Sequence, residues 1–190
     1  MEPVLTAIWG KNAPKHGVAP SIILVNPKNA SNVGAIVRTA ACYGFEQVWW
    51  TGNRVMLDLS GKKRLPREER MKGYQDVSMI QHDRPFDQFV NATPVAVEVR
   101  EEYQNLLEFE HPKNPVYVFG PEDGSIDSVL LGHCHQYVVI PTLHCLNLAM
   151  AVGTILWDRK LKQYLNGDID DLTLITPGEW EGRGVEEMLS

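Results

Sequence analysis

This 190-residue sequence has no long apolar run and no excess of positive charge. Its cysteines number three, which leaves at least one without a disulfide partner. No uninterrupted apolar run approaches the roughly 20 residues that a membrane-spanning helix needs, and the first residues lack the charged and then apolar layout of a secretory signal. The three cysteines have no metal-ligand spacing, so neither a disulfide framework nor a metal site is expected. We expect a cytoplasmic protein without a membrane partner.

The formal net charge of −6 has the wrong sign for holding nucleic acid by bulk electrostatics. One segment departs from this balance, because residues 61–72 contain six cations against two acids. Such a segment can neutralise several phosphates even on an acidic protein. A charged run is more commonly a solvated surface, and the charge pattern alone leaves both interpretations open.

Apolar residues make up 44% of the chain, which excludes a disordered protein and suffices for one packed domain. Short runs rich in Val and Ile alternate with helical patterns, as in an α/β fold with a mostly parallel sheet and helices on both faces. We expect a Pro- and Gly-containing lead-in over residues 1–20, a domain over 21–165 and an acidic tail over 166–190. Strands are predicted near 22–26, 47–50, 94–99, 116–120 and 137–140, and helices near 32–43, 86–91, 125–131 and 145–165.

Polar residues follow the first of these strands, at its junction with a helix. Asn29, Asn32, Gly34 and Arg38 place two amides, a glycine and a guanidinium there. Strand-to-helix junctions of open α/β sheets lie where backbone amides converge and where ligands bind. Asn32 could cap the helix or orient Arg38, whereas an arginine paired with a surface acid is the structural alternative for Arg38.

Two later junctions have a similar layout. A buried strand enters the loop Gly120-Pro121-Glu122-Asp123-Gly124, whose glycines allow close approach to a ligand or serve turn geometry alone. Glu122 could hold that loop, cap the following helix or meet a substrate. The third junction runs from Ile140-Pro141 through Cys145-Leu146-Asn147 into a helix with small residues.

In order and spacing, the three junctions together resemble the three motifs of the SpoU-type (TrmH-like) RNA ribose 2′-O-methyltransferases of the SPOUT superfamily, from about Ile22 to Arg159. The resemblance implies a C-terminal deep trefoil knot, S-adenosylmethionine as methyl donor, and a homodimer whose subunits share the active site. It also implies structured RNA as substrate, with tRNA preferred to rRNA.

The resemblance assigns roles to particular residues. It implies a catalytic set made up of Arg38, Asn32, Glu122 and Asn147. Within this set, Arg38 would act on the ribose hydroxyl. It implies a donor pocket formed by Val97, Glu98, Gly120, Glu122, Gly124, Ile140, Cys145, Leu146 and Asn147. It places RNA contacts after the second strand, at Lys63, Arg64, Arg67 and Arg70.

Cys145 departs from the family pattern, because it stands where most relatives have serine and the turn before it is short. A thiol is a weaker hydrogen-bond donor than a hydroxyl, so a catalytically inactive RNA-binding protein of the same fold is the alternative. A nucleotide-binding oxidoreductase would need a glycine fingerprint after the first strand and an acid after the second. The chain has Asn29 and Asn32 after the first and a basic segment after the second.

Overall fold

A computed structural model describes residues 7–9, 16–55 and 77–169, with backbone alone for residues 7–9. These residues form an eight-stranded sheet with three α-helices. The strands are β1 Ala7–Trp9, β2 Ser21–Leu24, β3 Gln47–Trp50, β4 Ser78–Gln81, β5 Thr93–Val97, β6 Gln104–Asn105, β7 Pro115–Phe119 and β8 Gln136–Val139. The helices are α1 Ala30–Cys42, α2 Ser128–Leu131 and α3 Leu148–Leu165, with 3₁₀ turns at Pro85–Gln88 and Leu106–Glu108.

The sheet has the strand order β1-β4-β3-β2-β7-β5-β8-β6. Every neighbouring pair is parallel except β1 with β4, which is antiparallel. Because β2 and β7 are neighbours although four strands separate them along the chain, the loops after these two strands meet at the centre of one sheet edge. The predicted α/β class with a mostly parallel sheet is confirmed.

Helices pack on both faces of the sheet because successive strand residues point to opposite sides. In β2, Ile22 and Leu24 join the core that contains buried residues of α1 and α3, whereas Ile23 joins a second core with Ile126 and residues of α2. All four residues of β2 are buried, as expected for a strand covered on both faces.

The structure corrects some element boundaries. The helix predicted over residues 86–91 is wrong, since this region forms only a short 3₁₀ turn, Pro85–Gln88. The strands β1, β4 and β6 were not predicted. The last helix begins at Leu148 rather than 145, because the side chain of Asn147 accepts the backbone N–H of Ala149 and ends the preceding loop. Similarly, α2 begins only after Asp127, which caps it through two backbone N–H groups.

A buried polar network links β7 to α3 at a distance from the loops. His111 Nδ1 lies 2.6 Å from the hydroxyl of Tyr117, and His111 Nε2 lies 2.8 Å from Asp158 Oδ2. The His111 side chain is only 4% exposed, and Tyr117 is fully buried. Both ring nitrogens are therefore used, which satisfies the imidazole inside the core.

The chain divides into two compact units, residues 1–158 and 159–190, and the boundary falls within α3. In the described part of the second unit, Arg159 Nη1 donates to Gln163 Oε1, one turn further along. The helix ends at Leu165, and Gly167 follows it with a φ of +76°, the left-handed conformation typical of residues just after a helix. Among the described residues, no helix combines the length and apolarity required to cross a membrane.

Candidate active site

A pocket of ≈ 390 Å³ lies where β5, β7 and β8 end and α3 begins. Its walls are mostly apolar, with a few polar groups, which is the composition common in small-molecule sites of 300–1,000 Å³. Strand ends and following loops supply Val97, Glu98, Val99, Phe119, Gly120, Pro121, Glu122, Gly124, Ser125, Ile140, Thr142, Cys145 and Leu146, and α3 supplies Leu148 and Ala151. Eight of the nine residues predicted to hold the donor therefore line one cavity; Asn147 does not.

Close backbone packing shapes the loop on one side of this pocket. A Cβ atom at Gly120 would come within 3.3 Å of the backbone nitrogen of Ile126, so a side chain there would force the loop to shift. The same backbone N–H donates to Glu98 Oε2 at 3.3 Å. Glu98 thus connects the end of β5 to the loop after β7 and presents a carboxylate at the pocket wall.

Three side chains from the three predicted junctions form a hydrogen-bonded chain beside the pocket. Asn147 Nδ2 donates to Asn32 Oδ1 at 3.1 Å, and Asn32 Nδ2 donates to Glu122 Oε1 at 2.8 Å. Because the carboxylate takes the NH₂ group of Asn32, the carbonyl oxygen of Asn32 must face Asn147. The motifs that lie far apart in sequence therefore meet in the fold.

Glu122 connects its loop to the start of α1. Its carboxylate accepts the backbone N–H groups of Lys28 at 2.7 Å and Asn29 at 3.1 Å, as well as Asn32 Nδ2. Burial by itself raises the pKa of Glu122, but these hydrogen bonds outweigh it, so the pKa lies below its ordinary value of 4.5. Of the roles considered for Glu122, capping of the following helix is wrong, since Asp127 caps α2.

The lowered pKa of Glu122 makes a pH-dependent contribution to folding. The ionised carboxylate is favoured in the folded state, so its stabilisation is present above about pH 4.5 and is lost as the pH falls through the lower folded value. In Glu122→Gln, the free energy of unfolding should fall less steeply between pH 5 and pH 3 than in the wild type. Urea denaturation across this range measures the slope, with exposed Glu108→Gln as the matched control. Identical slopes in all three proteins would contradict the prediction.

Arg38 lies on α1, the helix that also carries Asn32. It is an exposed residue of α1, and it is not among the residues that line the pocket. Its neighbour Thr39 faces α3, because a Cβ atom at Gly153 would lie 3.9 Å from Thr39 Cγ2. The exposed side chains of α1 and α3 therefore belong to adjacent helices.

The cysteines and the adjacent histidines occupy different environments. Cys145 is exposed at the pocket, whereas Cys134 is buried and burial raises the pKa of its thiol to about 12. His133 and His135 are exposed on either side of Cys134. Within the residues that the structure describes, no group of three His, Cys, Asp or Glu side chains is arranged to hold a metal ion.

One charged cluster at this sheet edge was not predicted. Asp123 Oδ2 pairs with Lys28 Nζ at 3.2 Å and with Arg54 Nη2 at 2.8 Å. Each of the three residues stands four positions after the observed end of its strand, but the predicted ends of these strands do not give equal spacing, so the sequence pattern did not reveal the cluster. The predicted RNA contacts Lys63, Arg64, Arg67 and Arg70 lie outside the described residues and stay a prediction.

Comparison with known proteins identifies the family. Residues 19–157 match the SpoU rRNA Methylase family, which is well over half of the chain. The chain belongs to the SpoU methylase family. The family predicted from the three junctions is thereby confirmed.

This SpoU-family chain is 28% identical over 167 residues to the tRNA (cytidine-2'-O-)-methyltransferase TrmJ of Methanocaldococcus jannaschii, covering 79% of this chain and 71% of that protein. It is 24% identical to an uncharacterised tRNA/rRNA methyltransferase of Synechocystis over 75% of its own length, and it spans only 53% of that relative. Its fold matches the SpoU methyltransferase AviRb from Streptomyces viridochromogenes, solved with AdoMet, at a TM-score of 0.65 and 16% identity. That match covers 81% of this chain and 64% of AviRb.

Proposed function

We propose that this SpoU-family protein is an S-adenosylmethionine-dependent RNA ribose 2′-O-methyltransferase that acts in the cytoplasm on structured RNA, with tRNA preferred to rRNA. The observation that carries the proposal is the position of the loop 120–124. The loop forms one wall of the pocket and, through Glu122, holds the Asn32–Asn147 pair. The name of the TrmJ relative supports the ribose 2′-hydroxyl of tRNA as the substrate class.

The pocket suits the proposed methyl donor. Its volume of ≈ 390 Å³ lies in the range of small-molecule sites, and its walls combine apolar side chains with close backbone at Gly120 and a carboxylate at Glu98. We propose that the donor is held by the set predicted from sequence, with Asn147 acting from beside the cavity. When bound, S-adenosylmethionine supplies an activated methyl group on a positively charged sulfur, which leaves as a neutral thioether.

The chemical task of the protein is to align a ribose hydroxyl and to stabilise it as it loses its proton. The 2′-oxygen forms a bond to the methyl carbon while the carbon–sulfur bond breaks, and the hydroxyl proton passes to a substrate phosphate or to water. Arg38 carries a guanidinium cation, and it acts by binding phosphate and stabilising negative charge on the oxygen. The Asn32–Glu122 pair keeps a fixed amide carbonyl beside the reaction centre.

We propose that a second copy of the chain supplies Arg38 to the pocket, in a homodimer. In support, the part of α3 before Arg159 exposes two large apolar side chains, Met150 at 63% and Trp157 at 52%, next to the helix that carries Arg38. Apolar side chains of this size on one helix face are typical of subunit contacts. The family resemblance further implies the trefoil knot in the C-terminal part of the domain over residues 21–165, and we carry it over as part of the proposal.

The test is donor binding followed by transfer. The purified protein should bind S-adenosylmethionine in calorimetry and should transfer tritiated methyl groups to unfractionated tRNA, with nuclease digestion locating them on ribose. Donor binding without transfer to tRNA or rRNA would favour the inactive RNA-binding protein. The observation that favours this alternative is that Arg38 is exposed and does not line the pocket of its own chain. Methyl groups found on bases would overturn the proposed chemistry.

A further inference from the structure

The cluster of Lys28, Arg54 and Asp123 lies at the centre of the carboxyl edge of the sheet. Its members follow the adjacent strands β2, β3 and β7, each at four residues beyond the last strand residue. Neighbouring parallel strands end at the same edge, so equal spacing brings the three side chains together. The cluster is therefore built by the fold from three separate loops.

The electrostatic balance of the cluster is positive. Two cations share the single carboxylate of Asp123, which leaves one unit of positive charge among these three side chains. The carboxylate of the adjacent Glu122 is bonded to the backbone N–H groups of Lys28 and Asn29 and to Asn32 rather than to these two cationic side chains. Arg54 contacts both oxygens of Asp123 through Nη2 alone, and a guanidinium carries five N–H donors. The side chains of Lys28 and Arg54 remain 54% and 31% exposed, so an anion from solution can reach them.

The cluster also has a fixed position relative to the candidate active site. Asp123 is the direct neighbour of Glu122, and the backbone N–H of Lys28 donates to that same Glu122. Glu122 in turn holds Asn32. An anion bound to Lys28 and Arg54 would thus lie next to loop 120–124, which also lines the pocket. It would be on the side of that loop where Lys28, before α1, and Arg54, after β3, contact Asp123.

We propose that Lys28 and Arg54 form a binding site for a backbone phosphate of the substrate RNA, with Asp123 holding the two cations in place until the phosphate arrives. The inference rests on the proposed function, since it takes RNA as the ligand. A phosphodiester carries one negative charge, as Asp123 does, and arginine binds phosphate oxygens with defined geometry. Asp123 then acts as a competitor that the RNA must displace.

The alternative is a structural clamp, in which Asp123 ties three loops together and no anion binds. The two roles predict opposite effects of removing the carboxylate charge. If Asp123 competes with phosphate, Asp123→Asn should bind RNA at least as tightly as the wild type. If Asp123 is a clamp, Asp123→Asn and Arg54→Gln should each weaken RNA binding, because either change releases the three loops from one another.

The experiment measures the affinity for unfractionated tRNA by filter binding at several salt concentrations. Arg54→Gln and Lys28→Gln should each weaken binding about three- to tenfold and lower the slope of log affinity against log salt by about 1, the loss of one phosphate contact. Lys113→Gln is the matched control, since it removes the same charge from an exposed site at the amino end of β7. Its salt slope should equal that of the wild type.

The inference is overturned if Asp123→Asn weakens binding as much as Arg54→Gln, or if neither cation variant changes the salt slope more than Lys113→Gln. Donor affinity and thermal melting of each variant show whether the loops remain folded. Methyl transfer is scored separately in the wild type. If the wild type transfers methyl groups but the Lys28 and Arg54 variants have the wild-type salt slope, only the phosphate site is refuted. If tRNA binding depends on these two cations but the wild type transfers no methyl groups, only the proposed function is refuted.

Discussion

Replacement of Arg38 by alanine is expected to reduce methyl transfer to tRNA by about 100-fold or more, because removal of one group that stabilises charge in the transition state commonly costs that much. Donor affinity should stay at the wild-type value, since Arg38 does not line the pocket of its own chain. Single-turnover transfer of tritiated methyl groups measures the first quantity, and calorimetry with S-adenosylmethionine measures the second.

The matched control for Arg38→Ala is Arg84→Ala, which removes another exposed arginine outside the pocket and its hydrogen-bonded loops. Arg84→Ala should transfer methyl groups at the wild-type rate. If Arg38→Ala keeps full activity, the catalytic assignment is wrong. If both variants lose activity alike, the effect of Arg38 is one of general charge rather than of position.

Substitution of Ala151 by phenylalanine is expected to abolish measurable donor binding, and with it methyl transfer. Ala151 lines the pocket from the first turn of α3, so a larger side chain there occupies the cavity itself. Val129→Phe is the matched control, since Val129 is exposed on α2 and lies outside the pocket. Calorimetry should detect no donor binding in Ala151→Phe and normal binding in Val129→Phe. Undiminished donor affinity in Ala151→Phe would place the donor elsewhere.

The two inactive variants also test whether subunits share the site. If Arg38 acts on the pocket of its partner, a mixed dimer of Arg38→Ala and Ala151→Phe contains one site with an intact pocket and an intact arginine. Such dimers, purified through two different tags, should recover about half of the wild-type activity. If Arg38 served its own subunit, no site in the mixed dimer would be complete and no activity would return.

Much of the fold could be predicted from sequence because its signals are local. Five buried strands stood out as short runs rich in β-branched residues, and Gln47–Trp50 was predicted with its observed bounds. Two of the strands that escaped prediction, β1 and β6, have three and two residues and lie at the edges of the sheet, whereas the third, β4, has four residues and pairs with both β1 and β3. Their pairing is set by neighbours distant in sequence, which a local pattern does not contain.

The candidate site was predictable only in part. The family resemblance that the three junctions carry together named eight residues that the structure brings around one cavity, although none of the three junctions was decisive alone. The Asn147–Asn32–Glu122 contacts depend on β2 and β7 being neighbours, and no pattern in either segment reveals that pairing. The Lys28–Asp123–Arg54 cluster was missed for the same reason.

The polar anchor between β7 and α3 has a consequence for the cavity. Asp158 lies on α3 seven residues, about two turns, after the pocket residue Ala151. It contacts His111, which in turn contacts Tyr117. Movement of α3 along its axis would break these buried hydrogen bonds and leave the Asp158 carboxylate and the Tyr117 hydroxyl without partners, so such movement costs several kcal/mol. The wall that α3 contributes to the pocket is therefore held from the other end of the helix, and we expect a ligand to displace the facing loops rather than α3.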